Sequence, residues 1–356
     1  MKKIWVFLIS LSAFLAYAQK SPSFLSVGAH YGFIIPHSPE LKNISSTSPA
    51  GLELSISRMK LDDESWSICN CYARSGLALA YFNYQNPREL GSSWNAYYFV
   101  QPFFRSQGNF NFSLKAGAGV TYVTQVFDQE TNPDNIFFSS NLSFFLLLSP
   151  ALSYHINEKW AIDVNLNYNH ISNGGMSQPN KGMNFPTASL SLSRKFNWQE
   201  PTKKPDSIRK KPEKWIGYAG MFGSLRSADE GQESSNYLMA GINFGVLRSL
   251  STLNGLNAGI ELARDQSYGR RLELSGETGS PWVSSLMIGH HFLISNVLFM
   301  QQFGYYITVP ESIVDKDFFQ RYSLYYKVSG NLSAGISLIA YGHVADHMDI
   351  RFLYSF

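Results

Sequence analysis

The chain has 356 residues, of which 15% are aromatic and 15% charged, with 27 glycines and two cysteines. So few charges with so many aromatic residues are unlike a soluble enzyme or a disordered chain, whereas the half-apolar strands of a barrel average to such a composition. The formal net charge is +3, from 29 basic and 26 acidic residues, and this balance does not indicate a nucleic-acid partner.

The first eighteen residues have the form of a secretory signal peptide. Lys2 and Lys3 precede an apolar run, and Ala16-Tyr17-Ala18 is a small-x-small cleavage site with no Cys directly after it. Cleavage there removes two of the 29 basic residues and leaves 27 against 26. Because no later stretch is apolar and long enough for a membrane helix, we expect an exported chain whose membrane spans are strands.

The first half alternates apolar and polar residues in segments of about ten residues or more, separated by turn residues. Eight such strands predict an all-β fold, in which the antiparallel strands close into an outer-membrane barrel without exposed edges. The predicted strands are 24–35, 50–59, 75–83, 93–104, 109–125, 138–155, 160–171 and 186–196.

The lengths of the connections predict the orientation of this barrel, because outer-membrane barrels have short periplasmic turns and longer outer loops. Tight turns at 106–108 and 157–159 alternate with long loops, and only the long connection 60–74 breaks this order. The seventh strand is therefore expected to end at the outer leaflet. Cys69 and Cys71 lie in the exceptional connection, where they form a very small disulfide ring or stay free; we assign them no function.

After Asn197 the alternation stops, and prolines interleaved with basic residues predict a solvated periplasmic linker. The pattern then resumes with eight or nine strand candidates, which form a second barrel-like unit or join the first half in one larger barrel. The predicted domains are a signal peptide at 1–18, an eight-stranded barrel at 19–198, the linker at 199–214 and a second barrel-like domain at 215–356.

The candidate strands of the second half are 216–225, 237–247, 258–264, 271–277, 283–292, 297–307, 319–328, 332–341 and 348–356. The last one ends on Phe356, and a terminal aromatic residue after an alternating strand resembles the signal that the barrel-assembly machinery recognises. The segment 341–346 also resembles 168–173 and indicates a divergent duplication. Its His343 lies opposite the apolar register and no hydroxyl follows it, so an ordinary interior or rim histidine is favoured there.

The candidate catalytic residues lie at the end of the seventh strand. Continuing its apolar register past Tyr168 puts His170 and Ser172 on the lipid-facing side, about 6 to 7 Å apart along the backbone. A serine hydroxyl becomes a useful nucleophile when an adjacent base removes its proton, and a neutral imidazole suits that task. The expected oxyanion donors are the side chain of Asn173 and the backbone N–H groups of Gly174 and Gly175, and Asn184 lies in phase before the eighth strand.

This arrangement resembles the lipid A 3-O-deacylases, also called acyloxyacyl hydrolases, of Gram-negative outer membranes. The family pattern is His, any residue, Ser and Asn, then Pro-Asn, a Gly and a Glu, on the last two strands of an eight-stranded barrel. It maps onto His170, Ser172, Asn173, Pro179-Asn180, Gly182 and, at the acid position, Asn184, within a resemblance that covers residues 20 to 198.

The resemblance implies that Ser172 attacks the 3-position acyl ester of lipid A while His170 acts as general base and then as acid. Asn173, Gly174, Gly175 and Asn180 would form the oxyanion and substrate region. Lipopolysaccharide and outer-membrane lipids are the implied partners, and this mechanism uses neither metal nor cofactor.

At the acid position, the Asn184 carbonyl can accept the imidazole N–H as in Cys-His-Asn enzymes, but it supplies no negative charge. An orienting carboxylate from the neighbouring outer loop is the alternative, with Asp128, Glu130 and Asp134 as candidates. His37, in another outer loop, could also approach the site.

Two other interpretations stay open at this point. One is a non-catalytic barrel with a decayed site, serving as a pore, adhesin or assembly partner. The other is a lipid-binding or transport barrel that uses the same groove without turnover. The second half contains no chemistry that the sequence identifies, and it is interpreted as a scaffold, a second lipid-facing surface or a homodimer interface.

Overall fold

The computed structural model describes residues 21–69, 71–104, 108–202, 215–228, 236–251, 253–294, 296–342 and 344–356. Its strands form two closed antiparallel barrels of eight strands each. This architecture confirms the all-β prediction and excludes one larger barrel made from both halves. The predicted signal peptide at 1–18, most of the linker at 199–214 and His343 lie outside the described residues.

The first barrel closes where its first strand pairs with its last, from Ser23 opposite Phe196 to Gly32 opposite Thr187. Its bounds agree with the predicted strands to within a few residues, except that the sixth strand begins later than expected. The strands are β1 (Ser23–Gly32), β2 (Ala50–Met59), β3 (Tyr72–Asn83), β4 (Ser92–Phe103), β5 (Phe110–Val123), β6 (Leu142–His155), β7 (Trp160–Ser172) and β8 (Met183–Phe196).

The long connection between β2 and β3 contains helix α1 (Asp63–Cys69). Its Trp66 packs in a buried cluster with Phe24, Met59, Tyr72 and Phe103 at one end of the barrel. Burial of this aromatic side chain accounts for a connection that is too long for a simple turn. Cys71, two residues after the end of this helix, is disulfide-bonded. A short 3₁₀-helix, Pro39–Leu41, lies in the β1–β2 connection.

The second barrel closes through pairing of its first and last strands, from Gly223 opposite Ile350 to Tyr218 opposite Ser355. The strands are β9 (Trp215–Ser227), β10 (Asn236–Ser249), β11 (Asn254–Asp265), β12 (Trp282–Ile294), β13 (Val297–Thr308), β14 (Phe318–Ser329), β15 (Leu332–Tyr341) and β16 (Val344–Ser355).

The fourth strand candidate of the second half, 271–277, is wrong. This segment lies largely in helix α2 (Gln266–Ser275), whose N-cap Asp265 accepts a hydrogen bond from the Ser267 N–H and which ends at Gly276 in the left-handed region. Tyr268 and Leu272, four residues apart, are its buried apolar side chains. The helical spacing and both caps therefore override the short apolar alternation around Leu272.

The faces of the strands are inverted relative to a soluble protein. On β2, Leu52 and Leu54 are 62% and 49% exposed, whereas Glu53 between them is 7% exposed. Apolar residues outside and polar residues inside are the pattern of a barrel whose outer surface meets lipid. In the described part of the chain, no helix combines the length and the apolar character that a membrane span requires.

Buried ion pairs neutralise the barrel interiors. In the first barrel, Lys115 Nζ lies 2.7 Å from Glu53 Oε1, and Arg74 Nη2 lies 3.6 Å from Asp163 Oδ1. In the second, the carboxylates of Glu261 and Asp349 pair with two buried guanidinium groups, those of Arg321 and Arg351. Paired charges avoid the large cost of an isolated buried charge.

The chain divides into two compact units whose limits differ from those of the barrels. The first comprises Met1–Gln125, Phe144–Ile171 and Asn184–Ile208, and the second comprises Val126–Ser143, Ser172–Met183 and Arg209–Phe356. The β5–β6 loop and the β7–β8 loop therefore belong to the second unit. Ser172, the last residue of β7, begins the segment that contains the β7–β8 loop.

Candidate active site

Strand β7 brings the candidate residues to one end of the first barrel. Tyr168 is 47% exposed, as expected for the apolar register, whereas His170 is half-buried and Ser172 is only 3% exposed. The alternating partner Asn169 faces inward and donates from Nδ2 to the Phe185 carbonyl at 2.8 Å. The predicted register thus holds as far as Tyr168, but His170 and Ser172 are less exposed to the surroundings than lipid-facing residues would be.

His170 is oriented by Asn184, the residue at the predicted acid position. Its Nδ1 lies 2.7 Å from Asn184 Oδ1. Since an amide oxygen only accepts, the hydrogen is on Nδ1. The Asn184 backbone is fixed in turn, because its carbonyl accepts from the Ile35 N–H at 2.9 Å. The second ring nitrogen, Nε2, is buried and has no hydrogen-bond partner among the described residues, so its lone pair is available.

The other groups considered as partners of this imidazole have different positions. His37 is near enough to interact electrostatically with His170. The Asp128 carboxylate accepts hydrogen bonds from the Thr131 N–H and hydroxyl and from the Glu130 N–H, which hold the pKa of Asp128 below its usual value. Glu130 and Asp134 are exposed. Among the described residues, the His170 ring donates its hydrogen bond to Asn184 Oδ1.

Ser172 is held by two donors. Asn180 Nδ2 donates to Ser172 Oγ at 3.0 Å, and the Gly174 N–H donates to the same oxygen at 3.1 Å. The Asn173 N–H donates to Asn180 Oδ1 at 3.2 Å, which locks the amide of Asn180 over the end of the strand. Among the described contacts there is no hydrogen bond between Ser172 and His170. The loop that folds back through Asn180 accounts for the burial of the hydroxyl.

The side chain of Asn173, an expected oxyanion donor, is hydrogen-bonded to residues of both loops. Its Nδ2 donates to Ser139 Oγ at 3.1 Å and to the Ser177 carbonyl at 2.8 Å, and its Oδ1 accepts from the Gly175 N–H at 2.9 Å. Both Asn173 and the Gly175 amide are therefore engaged in building the loop. The donors that already lie at the Ser172 oxygen are the Gly174 N–H and the Asn180 amide.

The β5–β6 loop braces the β7–β8 loop through backbone hydrogen bonds. Lys181 N–H donates to the Ile136 carbonyl at 3.0 Å, and Gly182 N–H donates to the Phe137 carbonyl at 3.2 Å. The predicted sixth strand includes residues 138–141, whereas the observed strand begins at Leu142, so the sequence did not predict this loop contact. The available signal was the pair of adjacent phenylalanines at 137 and 138, both fully buried, since two such neighbours break the alternation of a strand.

Two family models match the chain. Residues 51–193 match the lipid A 3-O-deacylase (PagL) family, and residues 215–356 match the C-terminal domain of the acyloxyacyl hydrolases. The first match contains His170, Ser172, Asn180 and Asn184. No curated protein matches the chain.

Several solved structures are similar to one half of the chain. The outer-membrane enzyme PagL has 17% identity and a TM-score of 0.34, over 47% of this chain and 97% of that one. Neisserial surface protein A has 12% identity and a TM-score of 0.34, over 49% and 97%. Ail of Yersinia pestis has 16% identity and a TM-score of 0.29, over 50% and 100%.

The family assignment has direct consequences for location and reaction class. Lipid A deacylases are ester hydrolases, and the family match together with the barrel fold locates this protein in the bacterial outer membrane. The match to the second family model extends the relationship to the second barrel. The first half of the chain thus belongs to the lipid A 3-O-deacylase (acyloxyacyl hydrolase) family.

Proposed function

We propose that this protein removes the 3-O-linked acyl chain of lipid A by a Ser-His mechanism at the lipid-facing rim of the first barrel. The observation that carries this proposal is the state of the His170 ring. Nδ1 is committed to Asn184 at 2.7 Å, and Nε2 is buried and unpartnered two residues from a serine on the same strand. This is the arrangement that a general base requires.

In the proposed reaction, Ser172 Oγ attacks the ester carbonyl carbon while His170 Nε2 takes the hydroxyl proton. The tetrahedral intermediate collapses with transfer of that proton to the departing sugar oxygen, which leaves an acyl-enzyme and the free 3-hydroxyl. Water then attacks the acyl-enzyme with His170 again as base, releasing a fatty acid and restoring Ser172. The first step requires Ser172 Oγ to turn from its present donors toward His170.

The Gly174 N–H and the Asn180 amide are the proposed oxyanion donors. Both already lie within 3.1 Å of Ser172 Oγ, so they are close to the carbon that this oxygen would attack. Charge that develops there gains most from donors that are fixed before the reaction. Asn173 and Gly175 support these donors from within the loop.

The location of the substrate follows from the faces of the barrel. Val164, Leu166 and Tyr168 form an exposed apolar stripe along β7 that leads to His170. Acyl chains embedded in a membrane leaflet lie along such a surface, which brings their ester ends to the strand end. We place this end at the outer leaflet, where lipid A resides, on the basis of the loop lengths.

Replacement of His170 by alanine is expected to lower kcat for lipid A deacylation by about 10²- to 10⁴-fold, the usual contribution of a general base. The rate of fatty-acid release from lipid A in detergent micelles measures this effect. The matched control is His37→Ala, which removes the neighbouring imidazole and is expected to have a much smaller effect. A larger loss from His37→Ala than from His170→Ala would show that the base is misassigned.

Substitutions at Asn184 test how the imidazole is oriented. Asn184→Leu removes the acceptor of the Nδ1–H and is expected to lower kcat by about 10- to 100-fold, since a hydrogen bond to a group that becomes charged contributes about 1.5 to 3 kcal/mol. Asn184→Glu keeps an acceptor and adds a negative charge beside the imidazolium, so activity is expected to be preserved or raised. A large loss in folded Asn184→Glu protein, measured by the same assay, would contradict the assigned role.

A lipid-binding barrel without turnover is the second candidate function. It is favoured by one observation, namely that Ser172 Oγ bonds to Asn180 and Gly174 and not to His170. The two functions differ in the effect of Ser172→Ala. If the protein is a hydrolase, the wild type releases fatty acid and Ser172→Ala does not. If the barrel only binds lipid, neither the wild type nor Ser172→Ala alters lipid A.

A further inference from the structure

The strands that close the second barrel, β9 and β16, pair along only part of their length. Strands β9 and β16 pair from Tyr218 opposite Ser355 up to Gly223 opposite Ile350. Beyond this point β9 continues to Ser227 and β16 begins at Val344, yet no further backbone pairing joins them among the described residues. Unpaired N–H groups at a sheet edge need other acceptors.

The loop that follows Ser172 supplies acceptors on both sides of this seam. The Gly174 carbonyl accepts from the Met348 N–H of β16 at 3.0 Å, and the Gly175 carbonyl accepts from the Ser227 N–H of β9 at 3.3 Å. Both glycines are buried, with positive φ angles of 71° and 83°. Two consecutive carbonyls therefore bind the unpaired ends of the two strands. This requires positive φ angles at both residues, which glycine adopts without strain.

Buried charges tie the two strand ends together beside the loop. Arg226 Nη2 of β9 lies 3.1 Å from Asp346 Oδ2 of β16, and Arg226 also pairs with Asp265. The same Asp346 carboxylate accepts from His347 Nδ1 at 2.6 Å. The backbone that receives the glycine loop is thus fixed by side-chain contacts that are independent of the loop.

Gly175 fits this place closely. A Cβ atom built on it would lie 3.0 Å from the Asp346 carbonyl oxygen and 3.3 Å from His347 Cβ. A methyl group at this position would require the loop or β16 to shift by a few tenths of an ångström, in addition to the strain of a left-handed φ. By contrast, Gly276 has a similar φ of 71° and nothing within 4 Å of the corresponding Cβ position.

We propose that the β9–β16 seam of the second barrel is a positioning element for the nucleophile. The backbone of Gly174 connects the seam to Ser172, because its N–H donates to Ser172 Oγ while its carbonyl accepts from Met348. By holding Gly174, the seam fixes one of the proposed oxyanion donors and the orientation of the Ser172 hydroxyl. This inference rests on the proposed function and assigns to the second barrel a role in the reaction of the first.

The test compares Gly175→Ala with Gly276→Ala in the full-length protein. Gly175→Ala is expected to lower kcat for lipid A by about 10- to 100-fold with KM little changed, since a displacement of about 1 Å in catalytic geometry can cost about 100-fold. Hydrogen exchange at Ser227 and Met348 is expected to accelerate in the same variant. Gly276→Ala introduces comparable backbone strain and is expected to change neither kcat nor the exchange at these two amides.

A second variant removes the same contact from the side of β9. Ser227→Pro deletes the N–H that binds the Gly175 carbonyl, at the last residue of β9, and is expected to lower kcat while thermal unfolding still shows a folded barrel. The proposal is overturned if exchange at the Met348 amide accelerates in Gly175→Ala or Ser227→Pro and kcat stays at the wild-type value. It is also overturned if Gly276→Ala loses as much activity as Gly175→Ala.

Failure of the underlying function gives a different result. Ser172→Ala keeps both glycines and the seam, so its exchange at Ser227 and Met348 is expected to match the wild type. If Ser172→Ala retains full activity, Ser172 is not the nucleophile, and the positioning role falls with it. If Ser172→Ala is inactive and Gly175→Ala is fully active with accelerated exchange, the nucleophile stands and only the positioning role is wrong.

Discussion

Replacement of Ser172 by alanine is expected to lower kcat for lipid A deacylation by at least about 10⁴-fold, the scale seen when a serine nucleophile is deleted. The variant should fold normally, because the backbone bonds of β7 remain and only the contacts of one hydroxyl are lost. Fatty-acid release from purified lipid A, followed at saturating substrate, measures the effect.

The matched control is Ser177→Ala in the same loop. The Ser177 hydroxyl receives a hydrogen bond from Ser139 Oγ at 2.9 Å, whereas the contact to Asn173 uses the Ser177 backbone carbonyl. Its loss is therefore expected to leave most of the activity. Equal activity of Ser172→Ala and Ser177→Ala would show that the hydroxyl of Ser172 does not take part in the reaction.

The largest effect on stability is expected from Glu53→Ala. The Glu53 carboxylate accepts from Lys115 Nζ at 2.7 Å and from the Tyr97 hydroxyl, inside the first barrel. Removing it leaves the Lys115 ammonium buried without its carboxylate partner, and breaking a buried pair in this way costs about 3 to 5 kcal/mol of unfolding free energy. Thermal or denaturant unfolding of the purified barrel measures the loss.

The double variant Glu53→Leu with Lys115→Met separates this charge effect from a packing effect. Replacing both members of a buried ion pair by apolar residues is often nearly neutral. We therefore expect the double variant to regain most of the stability that Glu53→Ala loses. A double variant that is less stable than Glu53→Ala would show that the contacts of these side chains with Tyr97, and not the unpaired charge, dominate.

The alternation of apolar and polar residues predicted most of the fold, because one face of each strand meets lipid and the other a polar interior. The predictions failed for features that do not depend on this alternation. The helix at Gln266–Ser275 is specified by its caps and by the spacing of Tyr268 and Leu272, and a window of five residues cannot distinguish this from a short strand. The closure of two separate barrels depends on long-range pairing, such as Gly223 with Ile350, which alternation does not encode.

The candidate site was only partly predictable. The spacing of His170, Ser172 and Asn184 follows from strand periodicity, and the structure brings His170 and Asn184 within hydrogen-bond distance. The covering of Ser172 could not be foreseen, because it results from Asn180 folding back across eight residues and from backbone contacts of Gly174 with β16. Contacts that use backbone atoms leave no mark on the side-chain pattern.

The most direct test of the account is mass spectrometry of lipid A from outer membranes that contain the wild-type protein, Ser172→Ala or His170→Ala. Lipid A is expected to lose one ester-linked acyl chain, from the 3-position, only in membranes with the wild-type protein. Unchanged lipid A in all three membranes, with each barrel shown to be folded, would contradict a hydrolytic function and favour a barrel that binds lipid without turnover.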